Sequence, residues 1–319
     1  MTYPPHPYLL RSEPVEPKTQ RTDKRRFLQL LASVALFILT MIVTLAVSWV
    51  LLNLIGRPVP FAEAWTIPRP GWVELVVSAS AALTAILVYR LIVGWIGADP
   101  GQGLRGGSKT IEFLFGITVG VVAIGLSFGL VALFGGYRIT GIQISDGILF
   151  GLAAGIGAGF VEEVLFRGLL LRILDAWFGS WAALVISSAL FGLAHIGNPG
   201  ATWWGALAIA VEAGLLLGGA YLLTRRLWLP IGIHVTWNFL SGGIFSSQIS
   251  GGGETRGLFT SEFTGPDWLT GGTLGIEGSV ITVIICSTAG LAMLYLAHRQ
   301  GQLLPSVRRE RRLAANSRR

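Results

Sequence analysis

The sequence predicts an all-α, polytopic membrane helix bundle of about eight transmembrane helices, and three observations carry that prediction. Of its 319 residues, 52% are hydrophobic and only 13% charged, with a mean hydropathy of +0.64. A soluble domain carries about 25% charged residues, so this chain has too little polar surface to face water all round. Apolar runs long enough to cross about 30 Å of hydrocarbon, roughly 20 residues each, recur along the whole length. The basic residues lie mainly at the two ends of the chain and at one set of connections.

The clear runs are 27–55, 72–96, 111–135, 203–224 and 279–297. Three others, 147–173, 181–196 and 227–245, are shorter or interrupted by ionisable residues, and these hold the polar groups of interest. The Pro-rich, polar N-terminus differs from a cleavable signal peptide, and the run 27–55 exceeds a signal-peptide core, so it is expected to stay as a span. One membrane domain, 27–297, is therefore expected between a polar, basic tail (1–26) and a second basic tail (298–319). The segment 246–278, rich in Gly and carrying Glu254, Glu262, Asp267 and Glu277, is the one long connection, either a partly ordered lid or a plain connector. Glycines at four-residue spacing (Gly116/Gly120, Gly125/Gly129, Gly151/Gly155/Gly159, Gly214/Gly218) read as helix-packing faces. The single cysteine, Cys286, lies in an apolar run and reads as packing.

The net charge of +7 comes from the tails, where juxtamembrane Lys and Arg clusters are retained on the cytoplasmic side. No base-reading motif accompanies the charge, so no nucleic-acid partner is expected. With eight spans, 20 of the 24 Lys and Arg residues fall on one side, leaving Arg57, Arg69, Arg138 and Arg256 on the other. Both termini are thus expected in the cytoplasm of a cell-membrane protein, with 246–278 outside.

An ionised side chain at mid-bilayer costs about 2.5–3.5 kcal/mol on insertion scales, which makes the adjacent Glu162 and Glu163 in GAGFVEEVLFRGLLLRIL informative. Glu163 and Arg167, at i and i+4, have the spacing of an ion pair on one helix face. Glu162 is rotated about 100° away and has no basic partner of its own, which makes it a functional candidate. His195 follows Phe191 by four residues, and His234 and Asn238 have the same spacing, so each pair shares a helix face. Read alone, His195 is a packing residue and the His234/Asn238 pair an interhelical hydrogen-bonding pair as readily as a site. Rise arithmetic places Glu162 roughly 15 Å, His195 roughly 20 Å and His234 roughly 10–15 Å from the cytoplasmic ends of their spans, depths that permit the three to meet.

EEVLFR fits an EExxxR pattern, FGLAH an FxxxH pattern and HVTWN an HxxxN pattern, in that order on consecutive spans. With them the chain resembles the CPBP family, which comprises type II CAAX prenyl endopeptidases and bacteriocin-processing (Abi) membrane proteins. The resemblance covers 146–245, including LTRRLWLP before His234, and the WLTGG segment at 268–272 is also similar to bacterial members. It implies eight membrane helices around a water-filled cavity, and an intramembrane endopeptidase acting on membrane-associated protein or peptide substrates. On that basis 27–297 is the protease domain, with 146–245 as its motif core. Glu162 and His195 are expected to activate a water, His234 and Asn238 to stabilise the oxyanion, and Glu163 and Arg167 to support the first motif. Glu162, His195 and His234 are also a possible zinc ligand set. No HExxH occurs and Asn is a poor zinc ligand, so no metal cofactor is expected. A non-catalytic immunity or binding protein and a transporter carrying protons on the two glutamates are the competing functions. Neither the prenylation of the substrate nor the oligomeric state follows from these residues.

The charge asymmetry yields a topology test. Reporter fusions at either tail should read as cytoplasmic, and a cysteine at position 256 should be labelled from outside. A tail found outside, or an inaccessible position 256, contradicts the orientation.

Overall fold

The computed structural model describes residues 20–64, 66–96, 103–105 and 108–305, with side chains from residue 24 onward. Most of the two expected tails, 1–19 and 306–319, lies outside the described residues. The architecture is the expected all-α bundle, with one small two-stranded ribbon added. The helices are α1 (Gln20–Leu54), α2 (Gly71–Leu91, prolonged by a π turn Ile92–Ile96), α3 (Lys109–Leu133) and α4 (Gly147–Glu163). A π-helical segment, Val164–Leu171, carries α4 into α5 (Arg172–Phe178) as one long span. Then come α6 (Ser180–Ala194), α7 (Trp203–Thr224), α8 (Trp228–Asn238, continued by π-helical Phe239–Ile244), the short α9 (Asp267–Thr270) and α10 (Val280–Arg299).

Seven of the described helical spans are long and apolar enough to cross a membrane. The eighth expected segment, α8 with its π continuation, is shorter because it packs inside the bundle, where Leu229, Ile231, Ile233, His234, Trp237 and Asn238 are all buried. α8 lies against α3, α4 and α7, while α7 packs on α6 and α10, and α2 bridges α1 and α4. α7 is the most enclosed span and α1 the most peripheral, with 72% and 11% of their apolar windows buried.

Several helices touch backbone to backbone. A Cβ on Gly116 of α3 would stand 2.4 Å from the Leu229 carbonyl oxygen of α8, and one on Gly155 of α4 would stand 2.5 Å from that of Val235. Small residues at such crossings let helices approach closely where lipid gives no hydrophobic drive to pack. Gly125 and Gly129, although spaced alike, have nothing within 4 Å, so the packing expected of that pair is not found. Their spacing is right, but their face of α3 meets no other helix.

At the end expected to be cytoplasmic, buried ion pairs fasten the turns. Arg226 Nε donates to Glu112 Oε1 at 2.7 Å, tying the α7–α8 turn to α3. Arg225 pairs with Asp175, whose other oxygen accepts from Ser180 Oγ at 2.6 Å. At the opposite end, β1 (Tyr137–Ile142) pairs antiparallel with β2 (Phe259–Phe263), the latter from within 246–278. That connection is thus a folded structure rather than a plain connector.

The packing glycines generate a graded prediction. Gly116→Val and Gly155→Val should lower the thermal unfolding midpoint in detergent, by an overpacking cost of at least about 1–3 kcal/mol. Gly125→Ala should be neutral or stabilising, by up to about 1 kcal/mol. Equal effects at all three positions would contradict the packing account.

Candidate active site

The three motif segments meet inside the bundle. Glu162 and Glu163 occupy the last turn of α4, immediately before its ladder changes to π-helical spacing at Val164. Such local changes of helix register re-aim side chains and are frequent at functional sites. Glu163 is fully buried. Its Oε1 accepts from Arg167 Nη1 at 2.8 Å and from His234 Nδ1 at 2.9 Å. Arg167 Nη2 continues to the Ala213 carbonyl of α7 at 3.0 Å, and its guanidinium lies 4.4 Å from the centroid of the Phe191 ring on α6. The i, i+4 ion pair expected from sequence is therefore present. The bond from Glu163 to His234, 71 residues away, had no local signal.

Glu162 points the other way. Its Oε2 stands 3.9 Å from His195 Nε2 and 3.9 Å from His234 Nε2, and accepts no hydrogen bond from any described residue. His195 Nδ1 is 2.7 Å from the Phe191 carbonyl oxygen. A carbonyl only accepts, so Nδ1 carries the hydrogen of the neutral ring and Nε2 presents its lone pair towards Glu162. The Phe191 ring packs edge-on against His195, with centroids 4.9 Å apart, so the FxxxH spacing sets both contacts. Asn238, one turn after His234, is buried at the rim of the same cavity.

That cavity, about 650 Å³, runs from these side chains between α1, α2 and α4 to the segment 249–255. Glu162, His195, His234 and Asn238 line it together, whereas Glu163 and Arg167 lie behind them. Before Val161 and Glu162, its α4 wall is made of small residues, Ala153, Ala154, Gly157 and Ala158. Glu74 and Glu254 flank its outer part.

Two imidazoles and a carboxylate have the chemistry of a catalytic zinc set, with Nδ1 of each ring held as metal ligands usually are. Their spacing is wider than zinc requires. Tetrahedral bonds of 2.0–2.1 Å put neighbouring donors roughly 3.3–3.4 Å apart, against the 3.9 Å from Glu162 Oε2 to each ring nitrogen. Among the described residues no group of three or more His, Cys, Asp and Glu side chains is arranged to hold a metal ion.

Sequence reasoning passed over a second, smaller pocket behind the histidines, lined by Glu212, Trp237, Ser250, Glu277 and Cys286 among others. Glu212 is the one charged residue of α7, buried and without a hydrogen-bond partner for its Oε2. The signal that singled out Glu162, an acidic residue alone in an apolar span, was present for Glu212 too. Glu277 stood in the sequence only as one of four acidic residues of a loop.

Residues 143–240, which hold all three motifs, match the model of the family described as type II CAAX prenyl endopeptidase Rce1-like. No curated protein and no solved structure matches the chain in the same comparisons. Residues 143–240, about a third of the chain and set in a bundle of membrane-spanning helices, are thus similar to the Rce1-like, CAAX-type family of intramembrane proteases.

Proposed function

We propose that the protein is an intramembrane endopeptidase that hydrolyses membrane-associated protein or peptide substrates with a water activated by Glu162 and His195. The observation that carries this reading is the convergence of Glu162 Oε2 and the two Nε2 atoms, 3.9 Å from each, on the wall of a cavity of about 650 Å³. A water between Glu162 and His195 loses its proton to the carboxylate as its oxygen attacks the scissile carbonyl carbon. General-base assistance of this kind contributes about 100- to 10,000-fold. The tetrahedral oxyanion receives hydrogen bonds from His234 Nε2–H and the Asn238 amide. For that donation His234 carries both ring protons, and Glu163, bonded to Nδ1, balances the imidazolium charge. The proton held on Glu162 then passes to the leaving amine, so base and acid are the same group in turn. Arg167 holds Glu163 in position and takes no part in the proton transfers.

The reading uses no metal. It is a reading of a single domain, 27–297, in a cell membrane with both termini in the cytoplasm. The donor spacing supports it over zinc ligation by Glu162, His195 and His234. A transporter or a binding protein on the same scaffold needs no such convergence of base and imidazoles on one cavity wall.

Purified protein turning over a fluorogenic peptide in detergent tests the assignment. Glu162→Ala, His195→Ala and His234→Ala should each bring turnover near background. Asn238→Ala should leave a measurable rate, since loss of one oxyanion donor costs about 100- to 1000-fold. Glu163→Ala and Arg167→Ala should lower yield and unfolding temperature, because breaking a buried ion pair costs about 3–5 kcal/mol. Full activity in Glu162→Ala, alongside inactivity of a well-folded Glu163→Ala, would reverse the roles within the pair.

A further inference from the structure

The segment 246–278 supplies the outer wall of the cavity through residues 249–255, and one side chain fastens it to the site. Glu277, buried in the turn that enters α10, uses its two oxygens separately. Oε1 accepts from Trp237 Nε1 at 2.9 Å, and Oε2 accepts from Ser250 Oγ at 2.7 Å. Trp237 is the residue before Asn238 on α8. Ser250 lines the cavity beside His195 and Asn198. The Ser250 carbonyl in turn accepts from Asn198 Nδ2 at 2.6 Å, three residues beyond His195. One carboxylate thus joins the end of α8, the cavity wall and the end of α6.

From this we infer that Glu277 is a positioning residue for hydrolysis, holding Trp237 so that α8 aims His234 and Asn238, and holding Ser250 so that the segment 249–255 stays against the site.

The local backbone shows why such a fastening is needed. α8 is short, and its ladder changes to π-helical spacing directly after Asn238, so the turn bearing Asn238 sits at a change of helix register. Trp237 and His234 lie three residues apart and line the same rear pocket, so fixing the indole fixes the rotation of the helix at both. Ser250 has φ of +48°, a left-handed conformation costly for a residue with a Cβ. Glu277 and the Asn198 bond hold it there. A neutral acceptor would serve either partner alone, whereas a carboxylate provides one oxygen for each.

This inference rests on the catalytic assignment proposed above, and its test separates the two. Turnover and amide hydrogen exchange should be measured on purified wild-type protein, Glu277→Ala and Glu277→Gln. Misplacement of catalytic groups by about 1 Å costs on the order of 100-fold. Glu277→Ala should accordingly lose about 100-fold in kcat with KM within about threefold. Glu277→Gln, which keeps an acceptor for Trp237 and a polar partner for Ser250, should recover at least about tenfold of that loss. Exchange over 246–258 should rise severalfold in Glu277→Ala and stay unchanged over α3. A kcat for Glu277→Ala within threefold of wild type, a change in KM alone, or unaltered exchange over 246–258 overturns the inference. Should Glu277→Ala fail to fold, the double variant Trp237→Phe/Ser250→Ala removes both bonds and leaves the carboxylate. Wild-type kcat in that double variant overturns the inference equally. Full activity in Glu162→Ala would instead remove the catalytic assignment, and the exchange measurement would still decide whether Glu277 holds the wall.

Discussion

The bond set around Glu163 is the interaction on which the rest of the site depends. A carboxylate in hydrocarbon must be compensated within the protein, since an uncompensated buried charge costs several kcal/mol. Glu163 is answered by Arg167 on its own helix and by His234 on α8. Arg167 then reaches the Ala213 carbonyl on α7 and the Phe191 ring on α6. One ion pair therefore touches α4, α6, α7 and α8, among them every helix that carries a motif. With Nδ1 of His234 committed to Glu163 and Nδ1 of His195 to Phe191, both rings can turn only Nε2 towards Glu162. The paired glutamate fixes the geometry, and its neighbour is left free for chemistry.

Small residues make that network possible at its actual distances. α4 approaches α8 where Gly155 and Gly159 would otherwise carry side chains into Val235, the residue after His234. α3 closes on the other side of α8 at Gly116. On its opposite face, α4 uses Ala and Gly to leave volume for the cavity rather than to draw a helix closer. One helix thus serves packing on one face and lines the cavity with the other, and α1, the least enclosed span, borders the same cavity.

The fold was largely legible in the sequence because hydropathy over some 20 residues reports directly on the membrane. α8 was legible as a segment, although burial inside the bundle makes it shorter than a span exposed to lipid. Spacing within a helix was equally legible, as in the Glu163–Arg167 pair and the shared faces of Phe191 with His195 and of His234 with Asn238. What spacing cannot report is which face meets which neighbour. Gly125 and Gly129 look like a packing pair and meet nothing, while the bond between Glu163 and His234 depends on how α4 crosses α8. Glu277 was hidden for another reason. Its partners, Trp237 and Ser250, lie 40 and 27 residues away, and an acidic residue in a Gly-rich loop carries no sign that it will be buried.

The central claim is that side chains alone activate the water, with Glu162 as base. In the metal alternative the same three side chains become ligands, and zinc would lower the pKa of its bound water to about 7, making the basicity of Glu162 less critical. The measurement that decides most directly between them is single-turnover cleavage by purified protein after exhaustive dialysis against a tight chelator, with metal content determined on the same sample. The account predicts an unchanged rate at well under one zinc per chain. Stoichiometric metal before dialysis, with turnover lost on chelation and restored by added zinc, would contradict it.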